Sequence, residues 1–329
     1  MSYLVGSKIT ISNYSVKQFF VKIAMERKAI SYFIGTGGWE HEVFDQCLYP
    51  SPNMDSLEKL RYYSTFFDTV EVRSTFWDDS LDAKDAKAWL TAVSSNKRFL
   101  FNVKLHSSFT HKRAISSRVS RSVRSILHEL HKNERLGALL VQFPYSFTNT
   151  SANRFQVVKL SEVFSGFPIH IEFRHNSWNQ PPLMNFLTDN LLHLVSADYP
   201  RIKQFMPCTT GTVGDTAYLR LHGRNEKGWL LNGLDSRYDY LYNTREVREL
   251  ARRLDTLSKR CIRAIVICNN TTKGKAIASA LQLQSAIRKE KHLPIPKAAL
   301  QAFPHLREIR SLVETDDSLF PLDCYRQAM

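Results

Sequence analysis

Glu172 and Arg174 stand two residues apart in the run Ile171-Glu172-Phe173-Arg174-His175, and Arg220 and His222 stand two apart in Leu219-Arg220-Leu221-His222. In a strand, successive side chains point to opposite faces, so each polar pair shares one face and the apolar neighbours take the other. Other short apolar runs close in the same way, with Glu71 and Arg73, Lys104 and His106, Gln142, Asp198, and Asn269 and Asn270. Carboxylates and imidazoles transfer protons, whereas lysine and arginine capture anions. We therefore take Glu71, Glu172, Asp198 and His222 as candidate catalytic groups. Lys104, Gln142, Arg174, His175, Arg220, Asn269 and Asn270 are candidates for holding a substrate. The carboxylates would also suit a divalent metal, yet neither His175 nor His222 lies in an HExxH spacing, so no ligand set is assigned.

Polar groups inside apolar strands are costly to bury unless they are paired. Ion pairs such as Glu172 with Arg220 would satisfy that need. A purely structural plug would be more stable as packed hydrophobic side chains, which favours a ligand site over a plug.

The elements that must position these groups follow from the hydropathy pattern. Eight short apolar, β-branched runs recur at 32–35, 69–72, 99–104, 139–142, 169–173, 194–197, 218–221 and 262–268. Helical stretches lie between them at 56–66, 83–94, 117–134, 154–164, 182–190 and 245–257. Asn243, with Glu246 three residues on, predicts a capped start for the last of these. This alternation predicts an α/β fold, a (β/α)8 TIM barrel over 32–289, with an N-terminal extension at 1–31 and a C-terminal extension at 290–329. An open doubly wound sheet is the alternative, but no GxGxxG follows the first run. In a barrel the chemistry gathers at the carboxyl ends of the strands, where these polar residues sit.

The chain has 329 residues, of which 43% are hydrophobic, and carries a net charge of +14 from 45 basic and 31 acidic residues. Such a basic protein is expected to meet an anionic small molecule or nucleic acid. The stretch 104–135 concentrates the charge, although such runs are usually the solvated face of a helix. No apolar run approaches the roughly 18 residues of a membrane span. Five cysteines without a CxxC pair argue against disulfide or zinc frameworks, and a cytoplasmic location is expected. No GxSxG is present, and Cys268 reads as a small core residue. Tyr238, Tyr240 and Tyr242 suit either the barrel rim or stacking on a base or sugar.

A chain of short motifs is more specific. It runs through Gly35-Thr36-Gly37-Gly38-Trp39, Tyr49-Pro50, Phe67-Asp68-Thr69-Val70-Glu71, Ser74-Thr75-Phe76 and Gln142-Phe143-Pro144. It continues through Glu172-Phe173-Arg174-His175, Ala197-Asp198-Tyr199-Pro200, Arg220-Leu221-His222-Gly223, Tyr238-Asp239-Tyr240-Leu241-Tyr242 and Asn269-Asn270. In this order they resemble the YecE-like family, also called domain of unknown function 72, over residues 33–285. The resemblance implies a TIM barrel akin to the xylose-isomerase and apurinic-endonuclease barrels, without an established activity. Its motifs add Thr36, Trp39 and Tyr240 to the candidate substrate-binding residues. Gly38, Arg73, Trp77, the stretch 271–274 and Ser279 depart from the family pattern near the expected mouth, which implies a ligand preference of its own.

Two functions are expected from this reading. The first is an enzyme acting on a phosphorylated or otherwise anionic substrate, by metal-assisted phosphoester hydrolysis or sugar isomerisation. The alternative is a non-catalytic nucleic-acid-binding barrel; a small-molecule sensor is a third class. A common type of glycosidase barrel is disfavoured, because Gln142 and Arg220 stand where acids would be needed.

Overall fold

In a computed structural model, residues 30–209, 213–231, 234–258, 261–289 and 292–310 are described; nearly all of the N-terminal extension and residues 311–329 lie outside them. Eight parallel strands close into a barrel in chain order, with β8 paired back onto β1. The strands are β1 Ser31–Gly37, β2 Thr69–Val72, β3 Leu100–Lys104, β4 Leu136–Gln142, β5 Ile169–Glu172, β6 His193–Asp198, β7 Thr216–Leu221 and β8 Arg263–Cys268. Every strand expected from the apolar runs is present.

Helices Ser56–Tyr63, Ala83–Ala92, Ser117–Lys132, Ser151–Val163, Leu183–Asp189 and Thr244–Ser258 fall where the pattern placed them. Their starts are chemically marked. Asp55 accepts from the Glu58 amide while Glu58 accepts from the Asp55 amide, both at 2.9 Å, and Asn243 and Glu246 make the same reciprocal pair at 3.0 Å. The helix Lys275–Arg288 was not foreseen. Ala276 to Leu281, Leu283, Gln284 and Ser285 are all buried, so it has no polar face to give the usual 3.6-residue signal.

Ser117–Lys132 shows the opposite pattern. Val119, Val123, Ile126, Leu127 and Leu130 bury one face, and the basic residues of 104–135 that lie on this helix occupy mainly the other. Residues 292–310 fold back onto the helical layer, where Leu293, Ile295, Ala299, Leu300, Phe303 and Leu306 join its apolar core.

Inside the barrel, Phe33, Leu100, Ala138, Leu140, Val195, Tyr218, Ile265 and Ile267 form a separate packed cluster. They come from alternate positions of their strands, as a filled barrel interior requires. One ladder contact is unusual. Between β1 and β2, the Thr36 amide donates to the Tyr63 hydroxyl at 2.8 Å, and that hydroxyl donates to the Thr69 carbonyl at 3.0 Å.

Candidate functional site

The register that packs Leu140, Tyr218 and Ile267 inside the barrel also aims the next inward positions at the carboxyl end, since side chains repeat every second residue. These positions are Glu71 and Arg73 on and after β2, Lys104 on β3, Gln142 on β4, Glu172 and Arg174 on and after β5, Arg220 and His222 on and after β7, and Asn269 after β8. Glu71, Glu172 and His222 are completely buried.

Arg220 is the hub. Its Nε and Nη2 hold Glu71 at 2.8 and 2.7 Å, and its Nη1 reaches Glu172 at 2.5 Å. Tyr218 donates to Glu71 at 3.1 Å, and Arg174 Nε pairs with the second oxygen of Glu172. His222 lies 3.4 Å from that oxygen through Nε2, while Asn269 Nδ2 donates to its Nδ1 at 3.0 Å. Nε2 thus lies between the Glu172 carboxylate and Arg174 Nη2, the latter at 3.3 Å. Asn269 can lie there because position 37 is glycine: a Cβ at Gly37 would come within 2.3 Å of Asn269 Oδ1.

Charge balance sets the ionisation. Burial opposes a charged Glu172, but Arg174 and Arg220 overcome it and hold the carboxyl well below 4.5. Burial and Arg174 push His222 down from 6.5 to about 3, so the imidazole is neutral at physiological pH. Burial and Arg220 bring Lys104 from 10.5 to about 7. Lys104 is 9% exposed, and its Nζ sits 3.8 Å from the centre of the Phe76 ring. The Thr75 hydroxyl ties the turn carrying Phe76 to the Lys104 carbonyl at 2.7 Å. Arg73 donates to the Gly37 carbonyl at 3.4 Å and lies 3.0 Å from His41 Nε2, which itself sits 2.7 Å from that carbonyl. Neither Lys104 nor Arg73 has an ion-pair partner among the described residues.

The two sides of the mouth differ. Over β5 to β7, Trp229 from the helix Glu226–Leu230 packs against Tyr199 and His222, with the Arg174 guanidinium 5.5 Å from its ring. Beside β1 and β2 a cleft of about 190 Å³ remains open, lined by Gly38, Trp39, His41, Arg73, Ser74 and Trp77.

Several sequence candidates lie elsewhere. Thr36 turns its hydroxyl to the Gly38 carbonyl at 2.8 Å and stands beside Tyr63. Trp39 is buried against Trp89 and donates to the Ser56 carbonyl, although its residue borders the small cleft. Asp198 alternates outward, where Arg224 holds both its oxygens at 2.9 Å and Tyr242 donates at 2.8 Å. It borders a separate cavity of about 710 Å³ with Tyr199, Lys203, Arg224 and Arg253. His175 accepts from the Ser177 amide at 3.0 Å, Tyr240 donates to Glu246, and Asn270 donates to Ser279 and the Tyr240 carbonyl. Gln142 points inward beside Glu172 but donates to the Phe143 carbonyl. Phe76 was not among the sequence candidates, and Arg73 was named at its strand end without a role, although it stands two residues beyond Glu71 on the same face.

The donor set does not fit a divalent metal. Glu71 and Glu172 are neutralised by Arg220 and Arg174, Asp198 is neutralised by Arg224, and no group of three or more His, Cys, Asp or Glu among the described residues could hold one. No helix among the described residues is long and apolar enough to cross a membrane.

Comparison with known proteins agrees with this architecture. The UPF0759 protein YunF of Bacillus subtilis is 28% identical over 271 residues, 76% of this chain and 93% of that protein. The crystal structure of a DUF72 family protein from Thermotoga maritima is 28% identical, covers 78% of this chain and 99% of its own, and superposes with a TM-score of 0.68. One from Enterococcus faecalis is 26% identical, covers 78% and 96%, and also gives 0.68. The model of the family described as protein of unknown function DUF72 matches residues 33–302, and the chain belongs to that family.

Proposed function

We propose that this protein is an enzyme acting on a phosphorylated or otherwise anionic substrate, bound at the carboxyl end of the barrel beside Lys104 and Arg73. One observation carries the reading. The two buried carboxylates of the mouth are already matched by Arg220 and Arg174, whereas Lys104 and Arg73 have no acidic partner among the described residues. A site with surplus, partly desolvated positive charge selects a negative ligand, and in a low-dielectric mouth that selection is strong.

The neighbouring groups suit proton transfer. Lys104, brought down to about 7, can give or take a proton near neutral pH, and the Glu172–Arg220–Glu71 network keeps the surrounding charges in place. Sugar isomerisation and phosphoester chemistry both need these two properties. The metal-assisted version is not supported by the donor set.

The nucleic-acid alternative rests on the net charge of +14 and the basic stretch 104–135. Much of that stretch is the outer face of an amphipathic helix, and Arg124 and Arg135 are occupied with the backbone carbonyls of Val163 and Phe99. The enzyme reading is therefore preferred.

Thermal melts with inorganic phosphate, pyrophosphate and sugar phosphates test the proposal, because a ligand of the folded state raises the melting temperature. A rise in the wild type that vanishes in Lys104→Met and Arg73→Met is expected. No rise with any anion, together with salt-sensitive binding of RNA, would favour the alternative.

A further inference from the structure

We propose that the Lys104 amine is a nucleophile that condenses with the carbonyl group of an anionic aldehyde or ketone, forming a Schiff base at the barrel mouth. The proposal builds on the anion site of the preceding subsection and names the substrate class. Lys104 differs from the other lysines in its surroundings. Lys59 is held by Asp45, and Lys273 and Lys275 are held by Asp239. Lys104 instead is nearly buried, rests its Nζ on the Phe76 ring and has no bonded acid; desolvation and the like charges of Arg220 and Arg73 outweigh the opposing charges of Glu71 and Glu172. Desolvation and cationic neighbours are the two ways a lysine is made nucleophilic near neutral pH, and both act here. An acid partner would have kept the amine protonated and inert.

The chemistry balances without a further reactant. The Nζ lone pair attacks the carbonyl carbon and the C=O π pair moves to oxygen. The carbinolamine oxygen leaves as water after protonation, and the nitrogen lone pair forms C=N⁺. An amine, a carbonyl and one solvent proton thus give an iminium and water, with no change of oxidation state. Arg73 stands close enough to the amine to feel its charge, and would hold the substrate's anionic group. The iminium then draws electrons from the adjacent carbon, the step that isomerisation or carbon–carbon cleavage needs.

Reductive trapping tests this. The full chain is incubated with sodium cyanoborohydride and glyoxylate or glycolaldehyde phosphate, with neutral glycolaldehyde as control, and labelled lysines are located by peptide mass spectrometry. Labelling of Lys104 at least about tenfold faster than of exposed lysines is expected for an activated amine. The anionic aldehydes should react faster than the neutral one, and inorganic phosphate should slow them. Lys104→Arg should lose that label yet keep a phosphate-induced rise in melting temperature; Lys104→Met, the second variant should the arginine fail to pack, should lose both the label and the phosphate effect. Labelling spread evenly over exposed lysines, with the phosphate effect on melting retained, would overturn the nucleophile and leave the anion site standing. A Lys104 label indifferent to phosphate and to aldehyde charge would overturn the substrate class. Neither a label at Lys104 nor a phosphate effect on melting would remove both readings.

Discussion

Arg220 grips Glu71 through two parallel hydrogen bonds, Nε to Oε2 at 2.8 Å and Nη2 to Oε1 at 2.7 Å, and spends its remaining terminal nitrogen on Glu172. One guanidinium therefore joins β2, β5 and β7 across the barrel interior. Bidentate pairing of this kind is directional as well as strong, which keeps the floor of the mouth in one arrangement.

Removing the hub should cost more than removing a spoke. Arg220→Met leaves two buried carboxylates without their shared partner, and a loss of about 3–5 kcal/mol is expected. Glu172→Gln should cost about 3 kcal/mol, because Arg174 and Arg220 lose a buried counter-charge. Anion affinity should hold or rise in Glu172→Gln, since the mouth becomes more positive. Urea denaturation with phosphate titration checks both, and a phosphate affinity lost along with Glu172 would place that carboxylate in the binding step.

Acid should weaken the fold in two stages. The unfolded chain protonates its histidines near 6.5, while His222 and His170 inside the barrel resist protonation down to about 3. Unfolding thus takes up protons, and stability falls as pH drops below 6.5. Glu172, held well below 4.5 when folded, adds a further loss below 4.5, where the unfolded carboxyl protonates first. Melting temperature against pH should show the earlier slope, reduced in His222→Gln; an unchanged slope in that variant would contradict a buried neutral imidazole.

Lys104→Met should stabilise the protein while abolishing anion binding. A buried ammonium without an acidic partner is held at a cost, as functional groups often are. The folded amine deprotonates near 7 and the unfolded one at 10.5, so wild-type stability recovers as pH rises between those values. The advantage of the variant over wild type should therefore be largest at or below neutral pH and shrink in alkali. Calorimetric melts at several pH values check the sign.

Gly37→Ala should disturb His222 without touching it. The new methyl would overlap Asn269 Oδ1, forcing the amide away from the imidazole it orients. Adding Asn269→Ala should recover part of the loss, so that the two changes are not additive. A double-mutant cycle on stability measures the coupling, and simple additivity would show that the methyl is accommodated elsewhere.

Alternation made most of the barrel legible from the chain alone. The eight apolar runs became eight strands, and the pairs Glu172 with Arg174 and Arg220 with His222 face the interior as spacing by two requires. The same rule explains the residues that left the site. Asp198 follows Ala197, which registers with Arg220, and is therefore turned outward. Asn270 follows inward Asn269 in the same way. Trp39 was chosen by motif and His175 by its place at the strand end, neither by parity, and their neighbours give them packing and capping tasks. Phe76 comes from a segment outside the strands, where no periodicity tells which ring will reach the mouth. The helix Lys275–Arg288 escaped because burial all round removes the contrast on which helical periodicity depends.

The hydroxyl of Tyr63, wedged between Thr36 and Thr69, has a consequence for how the barrel opens. At that point the bond from β1 to β2 runs through a side chain of the helix Ser56–Tyr63. The Thr36 amide proton is accordingly protected by the seating of that helix as well as by the sheet. The barrel thus carries a built-in reporter, whose exchange with solvent reads the detachment of one outer helix separately from the parting of the strands.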